Sequence, residues 1–130
     1  MIFTKSDIKQ FTPGIACFFL VWLLITMPPN NIPSLDNWFN KIYPDKWAHA
    51  GMFGGLVFLF SLPITKTPLT KKQKTNYTIK ILLCTIIWGL ATEFIQKHFV
   101  VGRMFDVWDW AADTFGAICG WLVCKKWIIN

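Results

Sequence analysis

Four apolar stretches separated by short polar or lysine-bearing segments constrain this chain more than any other feature. The first, IACFFLVWLLITM at residues 15–27, contains no charge, follows Pro13 and runs into Pro28-Pro29. Proline is tolerated in a first helical turn and stops a helix beyond its end, so a helix is expected over about 13–27. The second, WAHAGMFGGLVFLFSL, predicts a helix over about 46–62, capped by Asp45 and ended by Pro63. Two more are expected over about 79–97 and 107–127.

Length arithmetic decides what the last two must contain. Their charge-free cores, Ile81 to Thr92 and Thr114 to Val123, are too short to cross a hydrocarbon layer of about 30 Å, which needs roughly 20 helical residues. To span, the third helix must carry Glu93 and the fourth must carry Asp109 and Asp113. Eight Trp and twelve Phe in 130 residues, 54% of them hydrophobic, are more than a soluble core of this size could cover. The expected fold class is therefore all-α: an integral membrane four-helix bundle, with residues 1–130 as one domain.

The net charge of +6 does not point to nucleic acid, because most lysines fall between or beyond the apolar runs and form no basic amphipathic face. It sets topology instead. The termini and the 65–80 segment share one side and hold nine Lys, against Lys41, Lys46, Lys97 and Arg103 on the other. The excess puts the N-terminus and C-terminus in the cytoplasm. Lys5 and Lys9 before an apolar run resemble a signal peptide, but no small-residue cleavage site follows, so retention is expected. The four cysteines lie in apolar runs without metal-site spacing and read as small buried hydrophobes. Residues 28–44 read as a loop with a short interfacial helix around 35–42, and residues 65–78 as a basic loop touching anionic lipid.

With this topology the polar residues of three helices reach a similar depth near the outer face. Asp45, Lys46 and His49 open the second helix, Glu93 and Gln96 close the third, and Arg103, Asp106, Asp109 and Asp113 lead into the fourth. The spacings of three, four and seven keep each set on one helical stripe. Charged groups at that depth must face inward and meet one another. One reading is an interhelical clasp, with Lys46 and Arg103 neutralising Asp106, Asp109 and Glu93 while Gln96 and His49 take the leftover partners. Another is a site in which Lys46 and Arg103 hold an anionic head group. In a third, His49 with Glu93 or Asp109 forms an acid/base pair or, with water, a divalent metal site. Trp47, Trp108, Trp110 and Trp127 fit an aromatic belt. Gly51, Gly54 and Gly55, and the Gly116-xxx-Gly120 pair, allow close helix packing. His98 reads as a solvated side chain.

The run Asp45-Lys46-xx-His49, then Glu93-xx-Gln96, then Gly102-Arg103-xx-Asp106-xx-Asp109-xxx-Asp113-xx-Gly116-xxx-Gly120 resembles the VanZ-like family of small bacterial membrane proteins. Family members commonly carry Asn where this chain has Asp113, which adds a negative charge here. The founding member is associated with low-level resistance to the glycopeptide teicoplanin. The resemblance therefore implies a multi-pass protein of the bacterial cytoplasmic membrane that works at the cell envelope.

Three functions follow as expectations. The first is binding of an anionic lipid or lipid-linked cell-wall precursor at Asp45, Lys46, His49, Glu93, Gln96, Arg103, Asp106, Asp109 and Asp113. The second is an intramembrane hydrolase or transferase on a lipid head group, with His49, Glu93 and Asp109 as catalytic candidates. The third is a structural helper held by its polar clasp. No cofactor and no resident metal are assigned, and no nucleic-acid partner is expected.

Overall fold

The computed structural model describes residues 8–28 and 43–129, and among them the chain is all-helical. Helix α1 is Thr12–Thr26, α2 Pro44–Thr65, α3 Lys71–Phe99 and α4 Val107–Ile129. The interfacial helix expected around 35–42 lies outside the described residues. Helices α2 and α3, with mean hydropathies of 1.5 and 1.7 over their most apolar windows, are long and apolar enough to cross a bilayer. Helix α1 is apolar but only 15 residues long, about 22 Å at about 1.5 Å per residue. Helix α4 carries Asp109 and Asp113 in its first half.

Three boundaries differ from the sequence expectation. Helix α2 is opened by Tyr43, not Asp45, with Pro44 in its first turn. Tyr43 has a left-handed backbone, φ 51°, and its carbonyl accepts the N–H groups of Lys46 and Trp47 at 3.1 and 3.3 Å. Pro63 does not end α2, which continues to Thr65; so close to the helix end a proline forfeits little of the hydrogen-bond ladder. Much of the expected basic loop is helical, because Thr70 and Gln73 form a capping box. The Thr70 hydroxyl accepts the Gln73 N–H at 3.3 Å and the Gln73 side chain accepts the Thr70 N–H at 3.0 Å, satisfying two donors that a helix start otherwise leaves open. Lys74 turns back to donate to the Thr65 carbonyl at 2.6 Å, so it also completes the end of α2. Thr70→Ala should cost about 1 kcal/mol, read as a lowered melting temperature of the purified protein without loss of helix content.

The tightest contact is between α2 and α4, and glycine makes it possible. A Cβ on Gly116 would run into the backbone of Ala50, and one on Gly120 into that of Gly54; a Cβ on Gly54 would lie 2.7 Å from the Gly116 carbonyl oxygen. The Gly116-xxx-Gly120 pair thus packs within the bundle, as small residues do where helix backbones meet. Gly51 and Gly55 take no part, since a Cβ on either would meet nothing within 4 Å. Helix α4 is further tied to α3 by the Trp110 indole, which donates to the Ile86 carbonyl at 3.1 Å, so Trp110 is a bridge between helices and not only a belt residue. Helix α1 leans on the others through Val21 and Ile25 around Phe53, and Trp22 stacks on Trp88 with ring centroids 5.7 Å apart.

Polarity is distributed inside out relative to a soluble domain. His49, Ser61, Thr78, Thr85, Thr92, Glu93, Gln96, Asp109 and Asp113 are buried, while Phe19, Leu23, Leu83, Ile87, Phe115, Leu122 and Trp127 are exposed. Cys84 and Cys119 share this outward apolar surface; of the four cysteines only Cys124 is fully buried and Cys17 is half-buried, so the expectation of four buried thiols is corrected. A cleft of about 460 Å³ between α1, α2 and α3, lined by Phe18, Phe60 and Trp88, is almost wholly apolar.

Candidate functional site

The N-terminal ends of α2 and α4 and the C-terminal end of α3 meet, and their polar residues form one connected layer. Lys46, in the first turn of α2, donates to Asp109 Oδ1 at 2.6 Å and to Asp106 Oδ2 at 3.0 Å. Asp45 is only 4.0 Å from the same ammonium and stays largely exposed. One turn further along α2, His49 Nδ1 lies 2.8 Å from Asp113 Oδ1, and its Nε2 lies 4.0 Å from Asp109 Oδ2. His49 is thus shared by two turns of α4. Glu93 closes the ring from α3 by accepting the Asp106 backbone N–H at 3.0 Å through Oε2.

Gln96 sits one turn beyond Glu93 and turns elsewhere: its amide donates to the Ile25 carbonyl of α1 at 3.1 Å. That carbonyl belongs to the last turn of α1, where no intrahelical donor remains. Asp106, just before α4, also receives the Trp108 backbone N–H at 2.8 Å. Partial burial opposes its ionisation, but the hydrogen bonds from Lys46 and Trp108 win and hold its carboxyl below the ordinary carboxylate value. The pairing of Asp106 with Lys46 therefore persists throughout neutral pH and is lost only as pH falls through that lowered value.

The structure separates the nine residues singled out by sequence. Lys46, His49, Glu93, Asp106, Asp109 and Asp113 form the connected layer, Gln96 borders it, and Asp45 stays exposed outside it, 4.0 Å from the Lys46 ammonium. Arg103 makes no ion pair among the described residues; its Nε is buried without a hydrogen-bond partner, and its backbone N–H bonds the Val100 carbonyl at 3.2 Å. The expected share of Arg103 in neutralising the acids is therefore corrected: Lys46 pairs with Asp106 and Asp109, and Glu93 makes no ion pair among the described residues. His98 is exposed, as expected, with Nδ1 2.9 Å from the Phe94 carbonyl.

Two hollows open beside this layer. One, of about 280 Å³, is lined by Tyr43, Lys46 and Trp108. The other, of about 260 Å³, runs on from Lys46 and Trp108 along Trp47, Ala50, Ala111, Ala112 and Phe115. Tyr43 was not legible as a site residue. The only sequence hint is its place before Pro44, where the helical region is disfavoured for the preceding residue.

Two buried oxygens in the layer, Glu93 Oε1 and Asp113 Oδ2, have no hydrogen-bond partner. Donor atoms of His49, Glu93 and Asp113 all lie within 4.8 Å of one another. The arrangement combines a cation bound to two acids, a buried His–Asp pair, and a groove whose polar end is that cation. Comparison with curated proteins and with solved structures gives no match. The family model described as VanZ/LLP1 matches residues 15–130, nearly the whole sequence and all of this polar layer, and the chain belongs to that family.

Proposed function

We propose that this chain is an integral protein of the bacterial cytoplasmic membrane, crossing it four times as one domain with both termini in the cytoplasm, that holds the head group of an anionic lipid or lipid-linked cell-wall intermediate at the outer leaflet. The inside-out polarity supports the membrane reading. Apolar side chains face outward on every helix while Glu93, Asp109, Asp113 and His49 face inward, an arrangement that water would penalise and lipid favours. The lysine excess supports the orientation, which puts the polar layer near the outer leaflet.

The observation that carries the ligand reading is the groove. Its Lys46 end is ionic, and its continuation past Ala50, Ala111, Ala112 and Phe115 is apolar, the profile of a lipid with a charged head and a chain. Lys46 has three N–H donors, of which Asp106 and Asp109 take two. Trp108, two-thirds exposed, gives the groove an amphipathic wall of the kind found at membrane interfaces. Tyr43 holds its backbone in a region that costs about 1–2 kcal/mol for an L-residue. Such strain tends to be kept where a side chain has a task.

Mass spectrometry of the lipids retained by the gently purified protein tests this reading. The native chain should hold one anionic species enriched over the bulk membrane. Ala111→Trp, at an exposed position in the groove wall, should lower that enrichment several-fold while leaving the melting temperature in place. An identical lipid profile in the two proteins would rule out the groove and leave the Lys46–Asp106–Asp109 set as a clasp between helices.

A further inference from the structure

We infer that His49, Glu93 and Asp113 form a binding site for a divalent transition-metal cation of the zinc or manganese class. The site lies beneath Lys46 and does not depend on whether a lipid fills the groove.

Charge compensation is the first reason. Glu93 and Asp113 are both fully buried. The one lysine in the layer is committed to Asp106 and Asp109. That leaves two carboxylates facing a histidine in a medium where uncompensated charge costs several kcal/mol or more. A doubly charged cation bound by two carboxylates and a neutral imidazole makes the set neutral in one step.

Unfilled bonding capacity is the second, independent reason. Glu93 Oε1 and Asp113 Oδ2 are buried atoms with no hydrogen-bond partner, although buried carboxylate oxygens are ordinarily satisfied. Their groups come from two helices, α3 and α4, and converge on His49 of a third. For three donors no more than 4.8 Å apart, a point within about 2.8 Å of each exists, so contraction by well under 1 Å per ligand reaches metal–ligand lengths of about 2.0–2.2 Å.

Donor chemistry sets the class of ion. One imidazole nitrogen with two carboxylates suits zinc, manganese or ferrous iron, whereas magnesium and calcium prefer oxygen-rich, hydrated sites.

Full-length protein in detergent, stripped with a chelator, then equilibrated with Zn²⁺ or Mn²⁺ and desalted, decides the question by elemental analysis. The native chain and His98→Ala, which removes the exposed histidine, should each retain about one ion per chain. His49→Ala and Glu93→Gln should bind at least tenfold more weakly. Less than stoichiometric metal in the native chain, or equal retention in His49→Ala and Glu93→Gln, overturns the site and leaves protons on His49 and Glu93 as the compensation. A second measurement needs no variant that must fold: Zn²⁺ or Mn²⁺ should raise the native melting temperature where equal Mg²⁺ does not, and no difference between them also overturns it.

Discussion

Gly116→Leu should leave almost no folded, monodisperse protein after extraction into detergent. The Cβ position at Gly116 is occupied by the backbone of Ala50. Relief therefore requires α2 and α4 to move apart along their length, not a side chain to change rotamer. That places the cost beyond the roughly 1–3 kcal/mol of ordinary overpacking. Separation of α2 from α4 would also pull Lys46 and His49 off Asp109 and Asp113, so packing and polar contacts fail together. Gly51→Ala and Gly55→Ala are the internal comparison. A methyl at either meets nothing within 4 Å and should leave size-exclusion profile and melting temperature unchanged. Equal tolerance at Gly116 would mean that the α2–α4 contact is not the anchor of the fold.

Lys46→Met has the next largest expected effect. It removes the cation from Asp109, whose side chain is 10% exposed, and from Asp106, whose side chain is 41% exposed. The Asp106 arm is wet and worth little. The Asp109 arm dominates, because a buried carboxylate losing its partner costs about 3–5 kcal/mol. Asp109→Asn in the same chain removes the stranded charge and should restore most of that loss. A double-mutant cycle in thermal stability reads the coupling directly; additive effects would show that Lys46 and Asp109 do not act as a pair.

Much of this layer was legible because span length is a hard constraint. A third helix that must reach about 30 Å cannot avoid Glu93, and a fourth cannot avoid Asp109 and Asp113, so their meeting with Lys46 and His49 followed from alternation of helix direction. What was not legible is rotation about each helix axis. Spacing put Asp45 and His49 on one stripe, yet Asp45 lies outside the layer. It also gave no means of telling that His49 bonds Asp113 at 2.8 Å while Asp109 stands at 4.0 Å, since one turn of α4 separates the two. Gly54 and Gly55 are adjacent in sequence, but only Gly54 faces α4. Charge counting paired both Lys46 and Arg103 with the acids, and the structure bears this out for Lys46 with Asp106 and Asp109 but not for Arg103. The Thr70–Gln73 capping box, by contrast, was present as a sequence signature and was masked by the lysines around it.

The long sequence separations in this layer impose an order on biosynthesis. Ile25 in α1 receives the Gln96 amide 71 residues later, and Lys46 and His49 in α2 receive Asp109 and Asp113 63 and 64 residues later. A chain made from its N-terminus thus holds α2 without these partners for its ammonium and imidazole until the start of α4 has been synthesised. In a chain that inserts into a bilayer as proposed above, those groups must remain hydrated or be held by the insertion machinery until α4 arrives. In that setting, truncation before Asp109 would leave a nascent chain whose second helix has no stable place in lipid, a mark for membrane quality control.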